Sequence, residues 1–321
     1  MMLDMNWVRD RWTKSDKPQM KGNYTVKDES SKMSKGNYVL ATGDAAANRL
    51  RILHNAYGPG GRRFLVEAGI KRGMRVADLG CGVGMVSQLL AELVGPEGEV
   101  VGVDFSGAQI EQARSLLPPT MTNVRFVEAS ATDTGLTKES FDLVYCRFLL
   151  IHLTEPEAAL REMYDLLKPD GILVCEDGDL TSAGSEPPSQ LQAFSTLFGN
   201  LGPKWGVDYT LGRRLFRMVL AANFSQPQIV FNQPIFATGE NKRLLELSVA
   251  EAGPSFVAAG LITSEELQQT LDEMRRLAED DTVLALMPRM SQVWARKLAV
   301  SSFNCCLSLL AVRTQTEGSS D

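Results

Sequence analysis

The sequence predicts an α/β fold, doubly wound around a mostly parallel sheet of seven strands, with helical insertions late in the chain. Two observations carry this. Short apolar runs alternate with amphipathic segments from about residue 73 to residue 176, the pattern of strands covered by helices on both faces. The first run ends at Gly80, Gly82 and Gly84 and passes at once into Val86, Leu89, Leu90 and Leu93 at helical spacing. That is strand, glycine turn, helix. Glycines let backbone amides come close to a ligand, because no Cβ intervenes.

Taken in order, residues 1–40 are polar and lysine-rich and read as a flexible arm, with Trp7 and Trp12 as isolated anchors. A helix is expected from Asp44, carrying Leu50, Leu53 and Tyr57 on one stripe. Gly58-Pro59-Gly60-Gly61 should end it, with a second helical piece over 62–68. The first strand holds Met74, Val76, Ala77 and Leu79. Gly95-Pro96-Glu97-Gly98 turns the chain into a second strand, Val100 to Val103, which stops at Asp104. Ser106 and Gln109 look like a capping box for the next helix, and Pro118-Pro119 closes it.

Strands three and four are expected over 124–128 and 141–146. Thr154 and Glu157 suggest another capping box ahead of Leu160, Met163 and Leu167. Strand five, 172–176, follows the turn Lys168-Pro169-Asp170-Gly171. A Gly-, Ser- and Pro-rich loop over 178–190 leads to helices over 191–201 and 211–222. Strand six is read at 229–231. A helical insertion spans 240–281, with Thr263 and Glu266 as capping box and Leu267, Leu271, Met274 and Ala278 as stripe. A last strand is expected to follow Pro288 and include Val293, Trp294 and Ala295, since proline would interrupt a central strand. The division is therefore an arm (1–40), a domain (41–300) with insertions near 180–223 and 240–281, and a tail (301–321). The two insertions, joined by Gly and Pro, suggest a lid.

Composition bounds the function. The 321 residues can bury a large core. A net charge of −6 argues against a nucleic-acid backbone as main partner. Five cysteines form no metal spacing and no even disulfide framework, so a reduced, cytoplasmic setting is expected. No apolar run reaches membrane-spanning length. The sequence does not fix an oligomeric state.

The glycine spacing sorts the chemistry further. A dinucleotide fingerprint, G-x-G-x-x-G, requires glycine where Met85 stands. The G-x-G-x-G pattern led by Asp78 resembles motif I of the class I S-adenosylmethionine-dependent methyltransferases. The resemblance covers about residues 44–297 and is strongest over 73–175. It implies a Rossmann-like fold with S-adenosylmethionine as cofactor. Its sulfonium methyl would go to an O, N or C atom of a small organic acceptor of secondary-metabolite type. By the resemblance, Tyr57, Asp78, Gly80, Cys81, Gly82, Asp104, Phe105, Ser130, Ala131 and Arg147 line the cofactor. Asp104 takes the ribose hydroxyls. Ser130-Ala131 stands where many relatives carry an aspartate followed by alanine, so the adenine contact would use a hydroxyl without charge.

His152, near the expected reaction centre, is the candidate general base, since its ordinary pKa near 6.5 suits one; a loop-bracing histidine is the alternative. Glu176, Asp177 and Asp179 read as a solvated acidic rim, with Glu176 or Asp177 as a base if desolvated. No metal is expected. Two other functions stay open: a non-catalytic protein binding the same cofactor, and a nicotinamide-dependent dehydrogenase, against which Met85 speaks.

Overall fold

The computed structural model describes residues 44–298. The arm expected over 1–40 and the tail at 301–321 lie outside them. Nine-residue β10 (Arg289–Lys297), β1 (Arg75–Leu79), β2 (Glu99–Asp104), β3 (Val124–Glu128), β4 (Phe141–Arg147), β5 (Leu167–Asp179) and β7 (Phe224–Asn232) form one sheet. Its order is β3-β2-β1-β4-β5-β10-β7. The first five strands pair in parallel, and β10 runs antiparallel to both β5 and β7. Pro288 thus stands just before a strand paired on both sides, where its missing N–H removes no ladder bond.

Strand residues alternate between two cores. Ala77, Leu79, Val101, Val103, Cys146 and Cys175 face one, while Val76, Val100, Tyr145 and Val174 face the other. Burial on both faces explains the nearly unbroken apolar runs. On the second face lie α2 (Met85–Val94) and α3 (Gly107–Leu116), through Val86, Leu90, Ile110 and Ala113. On the first face lies α4 (Pro156–Leu166) with Ala159, Leu160 and Met163. Ser106 caps α3 by accepting the Gln109 amide. The expected Thr154–Glu157 box does not form. Pro156, suited to the first helical turn, starts α4 after Glu155 instead.

The first helix, α1 (Asp44–Ala68), is continuous through Gly58-Pro59-Gly60-Gly61, contrary to the break expected there. Tertiary packing outweighs the local breaker. Ile52 and Tyr57 enter one core and Phe64 and Leu65 the other, and burying each such side chain stabilises by about 1.5–3 kcal/mol. The glycines let the helix approach closely, because a Cβ on Gly61 would stand 2.9 Å from Glu176 Oε1. So α1 crosses the strand ends from one face of the sheet to the other.

The late segments hold α5 (Ala193–Trp205), α6 (Leu215–Ala221), α7 (Leu244–Ala258) and α8 (Ser264–Glu279). Gly202 and Pro203 lie inside α5 rather than ending it. The Thr263–Glu266 capping box is complete. Leu191, Phe198, Leu245, Val249 and Phe256 belong to the same core as β4 and β5. Arg49 of α1 pairs with Glu251 of α7 at 2.7 Å. Three short strands, β6 (Gly184–Glu186), β8 (Ile235–Phe236) and β9 (Leu284–Leu286), make a small antiparallel sheet in the order β6-β9-β8. Runs this short carry no periodicity, and the sequence did not reveal them.

Candidate active site

Strand order reverses between β1 and β4: the chain proceeds outward through β2 and β3, then returns to the far side of β1. Open α/β sheets bind ligands at such a switch, at the carboxyl ends of the strands. The glycine turn lies there. Gly80, Gly82 and Gly84 all have left-handed φ, at 73°, 53° and 78°. The Gly80 and Cys81 amides donate to Val103 O at 2.8 and 3.0 Å, tying the turn to β2. A Cβ on Gly80 would stand 2.8 Å from Leu149 Cδ1, and one on Gly84 2.6 Å from Phe126 Cζ. Backbone conformation and close approach both require glycine here.

Asp104 is half-buried at the end of β2. Its Oδ2 accepts the Gly82 amide at 2.9 Å and its Oδ1 the Ser106 amide at 3.0 Å. Burial pushes its carboxyl up, against the pull of these amides. Each oxygen keeps acceptor capacity beyond its one backbone bond. Asp78 is fully buried and accepts Ser87 Oγ at 2.6 Å. Burial raises it to about 6, while the Ser87 bond and the Arg147 charge oppose the rise. The Cys81 thiol is driven well up by burial and stays protonated. Phe105 is 49% exposed beside Asp104. At the end of β3, Ala131 is half-buried and Ser130 exposed. The Ser130 hydroxyl accepts the Thr132 amide at 3.2 Å and lies 2.8 Å from Thr132 Oγ1, so it serves a local turn.

Beyond the glycine turn a seam runs under α1. Leu50 lies 3.8 Å from the Cβ position of Gly82, His54 packs on Gly58, and Gly61 meets Glu176. Arg147, the last residue of β4, is the register partner of Glu176. Its charge bears on His54, Tyr57, Asp78, Tyr145 and Glu176. Glu176 is fully buried, accepting Tyr145 Oη at 2.6 Å and Gln292 Nε2 at 2.7 Å; burial raises its carboxyl. Neither Tyr145 nor Gln292 stood out in the sequence, although a polar side chain inside a buried strand marks such a contact. Tyr57 proves to be a core aromatic. It is fully buried, edge-on to Phe148, and its hydroxyl donates to Pro288 O at 2.7 Å.

The acidic residues after strand five are not a solvated rim. β5 continues to Asp179 and buries all three carboxylates. Asp177 accepts the Leu150 amide at 2.7 Å and the Gly178 amide at 3.0 Å. Further amide bonds from Ile151 and Leu149 also hold its carboxyl down, yet burial wins and lifts it to about 7. It thereby fixes the 3-10 turn Leu150–His152. Asp179 accepts Arg213 Nε at 2.7 Å.

His152 sits on that turn, edge-on to Tyr209 at 5.8 Å between ring centroids. Burial, aided by the Arg49 charge, drives its pKa down to about 3. The poised base expected near pH 6.5 is replaced by a neutral imidazole in an aromatic cluster. A weak base of this kind holds little proton-transfer driving force at neutral pH.

With this geometry in place, comparison with known proteins is informative. A family model described as a methyltransferase domain matches residues 70–207, the stretch from before β1 through α5. The demethylmenaquinone methyltransferase of Staphylococcus aureus (strain JH9) is 29% identical over 166 residues, which is 52% of this chain and 67% of that protein. The chain carries a class I S-adenosylmethionine-dependent methyltransferase domain. Two solved structures share its fold. The YcgJ protein of Bacillus subtilis aligns with TM-score 0.50 and 19% identity over 77% of this chain and 99% of that one. A chain of the Haloferax volcanii complex containing the Trm112 methyltransferase activator aligns with TM-score 0.50 and 15% identity, over 79% and 96% respectively.

The methyltransferase uses S-adenosylmethionine as its methyl donor, and the residues present suit it. A Cβ on Gly82 would have only Leu50 near it, at 3.8 Å, so this position leaves its backbone open to a ligand, and Asp104 offers half-buried acceptor capacity beside it. Among the described residues, no helix is long and apolar enough to cross a membrane.

Proposed function

We propose that the enzyme methylates an O, N or C atom of a small organic acceptor, a secondary metabolite, held in the seam between the strand ends and the helices above them. One observation carries this reading. The glycine turn, the half-buried Asp104 carboxylate and the polar seam of Arg147, His54 and Glu176 lie side by side at the switch point of the sheet, roofed by α1. When bound, the donor supplies a methyl group already activated on a sulfonium. In this reading Gly80, Cys81 and Gly82 present backbone to it, Asp104 accepts its ribose hydroxyls, and Asp78 buttresses the turn through Ser87. Phe105, Ser130 and Ala131 edge the adenine side, and Arg147 faces the junction between donor and acceptor.

The relative named for demethylmenaquinone, itself a small organic molecule, supports the class of acceptor. The protein's own residues act chiefly by positioning, because His152 is too weak a base to drive proton removal. The test is release of S-adenosylhomocysteine over a panel of small phenols, amines and carbon acids. Turnover with at least one of them, abolished by denaturing the protein, is the expected result. Binding of the donor with no release across the panel would favour a protein that only binds it.

A further inference from the structure

The seam under α1 holds two polar nitrogens that the protein leaves unmatched. Arg147 Nη1 and His54 Nδ1 are both buried, and among the described residues neither has a hydrogen-bond partner. Buried polar atoms are nearly always paired, so each such exception calls for an explanation. The charge of Arg147 bears on groups from four elements: His54 and Tyr57 from α1, Asp78 from β1, Tyr145 from β4 and Glu176 from β5. Both carboxylates among them have donors of their own, Ser87 for Asp78 and the Tyr145–Gln292 pair for Glu176. The Tyr57 hydroxyl is spent on Pro288. None of these groups comes within hydrogen-bond reach of either nitrogen, so an acceptor brought by a ligand would meet an unmatched Arg147 N–H.

We propose that Arg147 and His54 form the subsite for the nucleophilic oxygen of the methyl acceptor, and that the acceptor is an acidic hydroxyl compound, a phenol or enol, bound as its anion. This rests on the methyltransferase reading above and narrows it to O-methylation. Arg147, fixed in register beside Glu176 at the switch point, brings a permanent charge and a free N–H to the oxygen. His54 is held neutral, its pKa lowered to about 4 by burial and by Arg147, and a neutral imidazole can donate from Nδ1. A cation beside an acid favours its anionic form by about 1–3 pK units.

That answers the question left by His152. The acceptor loses its proton to water because the site stabilises the anion, and no side chain needs to take it. The oxygen's electron pair then forms the new O–C bond, while the electrons of the broken C–S bond stay on sulfur.

The test uses 4-nitrophenol, whose ionised form absorbs visibly, with the full-length protein saturated with S-adenosylhomocysteine. The bound probe's ionisation midpoint is read by absorbance across pH in wild type, Arg147→Gln and Arg147→Lys. Binding of S-adenosylhomocysteine is measured by calorimetry on the same samples. The expected result is a midpoint about one unit or more below that of free probe, an approximately tenfold or greater preference for the anion. It should be lost in R147Q and largely kept in R147K.

A wild-type midpoint at or above the free value, or no probe binding, overturns the proposal even if R147Q does not fold. An R147Q protein that loses S-adenosylhomocysteine but leaves the probe's midpoint unchanged overturns it too, and moves Arg147 to the donor. Failure of wild type to bind S-adenosylhomocysteine would instead strike the underlying methyltransferase reading.

Discussion

The carboxylate of Asp177 accepts the amide of Leu150 at 2.7 Å, from the neighbouring strand's exit turn. With the Ile151 and Leu149 amides also pointing at it, one buried side chain holds the turn that places Leu149 over Gly80 and His152 against Tyr209. Asp177→Asn presents an N–H₂ group to some of those amides. Leaving buried donors unmatched costs about 1–3 kcal/mol. Denaturant unfolding should show a loss of that size, and hydrogen exchange at 149–151 should speed up. An unchanged midpoint and unchanged exchange would show that the turn is held by something else.

Gly80→Ala tests the cradle. At φ 73° a Cβ is strained, by about 1–2 kcal/mol, and it would press on Leu149 Cδ1, the far end of a flexible side chain. The expected protein folds, is less stable by about that amount, and binds S-adenosylhomocysteine more weakly. Equal binding in wild type and variant would remove Gly80 from the ligand's path.

Two sets of buried groups make stability depend on pH in opposite senses. His54 and His152 have folded pKa values of about 4 and 3, below the ordinary 6.5. The unfolded chain binds more protons between those limits, so their contribution is complete above pH 6.5 and is lost as pH falls. Asp78 and Asp177, raised to about 6 and 7, contribute fully below pH 3.8, and that part is lost as pH rises through 6 and 7. The stability advantage of wild type over His152→Gln should therefore shrink between pH 7.5 and pH 5. Its advantage over D177N should shrink in the other direction, from pH 5 to pH 7.5. Urea titrations at both pH values read both trends.

In catalysis His152→Gln should lower turnover by less than about a hundredfold, the low edge of general-base effects. The pH–rate profile should keep its shape, because a group titrating near pH 3 leaves no limb in the neutral range. A loss beyond roughly ten-thousandfold with folding and donor affinity intact would make His152 the base after all.

The central strands were legible because burial on both faces leaves nearly unbroken apolar runs; the edge strand β7 was read from Ile229 to Phe231, although these side chains are exposed. The glycine turn was legible for a different reason: positive φ at Gly80, Gly82 and Gly84, with close approach at Gly80 and Gly84, admits almost no other residue. What failed was local grammar set against tertiary packing. Gly58-Pro59-Gly60-Gly61 spells a break, yet it lies mid-helix, where Gly61 lets α1 settle on Glu176. Glu176 and Asp177 looked solvated because charge usually is. Their burial depends on donors, Tyr145, Gln292 and the amides of 149–151, that lie tens to more than a hundred residues away. His152 was found as a residue but not as a chemical state, since a pKa is a property of surroundings that sequence spacing does not encode.

The central claim, that this fold is a working donor site with Asp104 as its anchor, is tested most directly by calorimetric titration of S-adenosylhomocysteine into wild type and Asp104→Ala. The account predicts saturable binding to wild type and a loss of roughly 1.5–3 kcal/mol in the variant, as for hydrogen bonds to a charged group. The Gly82 amide loses its acceptor at the same time. Binding of equal affinity in both proteins, or no binding to wild type, would contradict it.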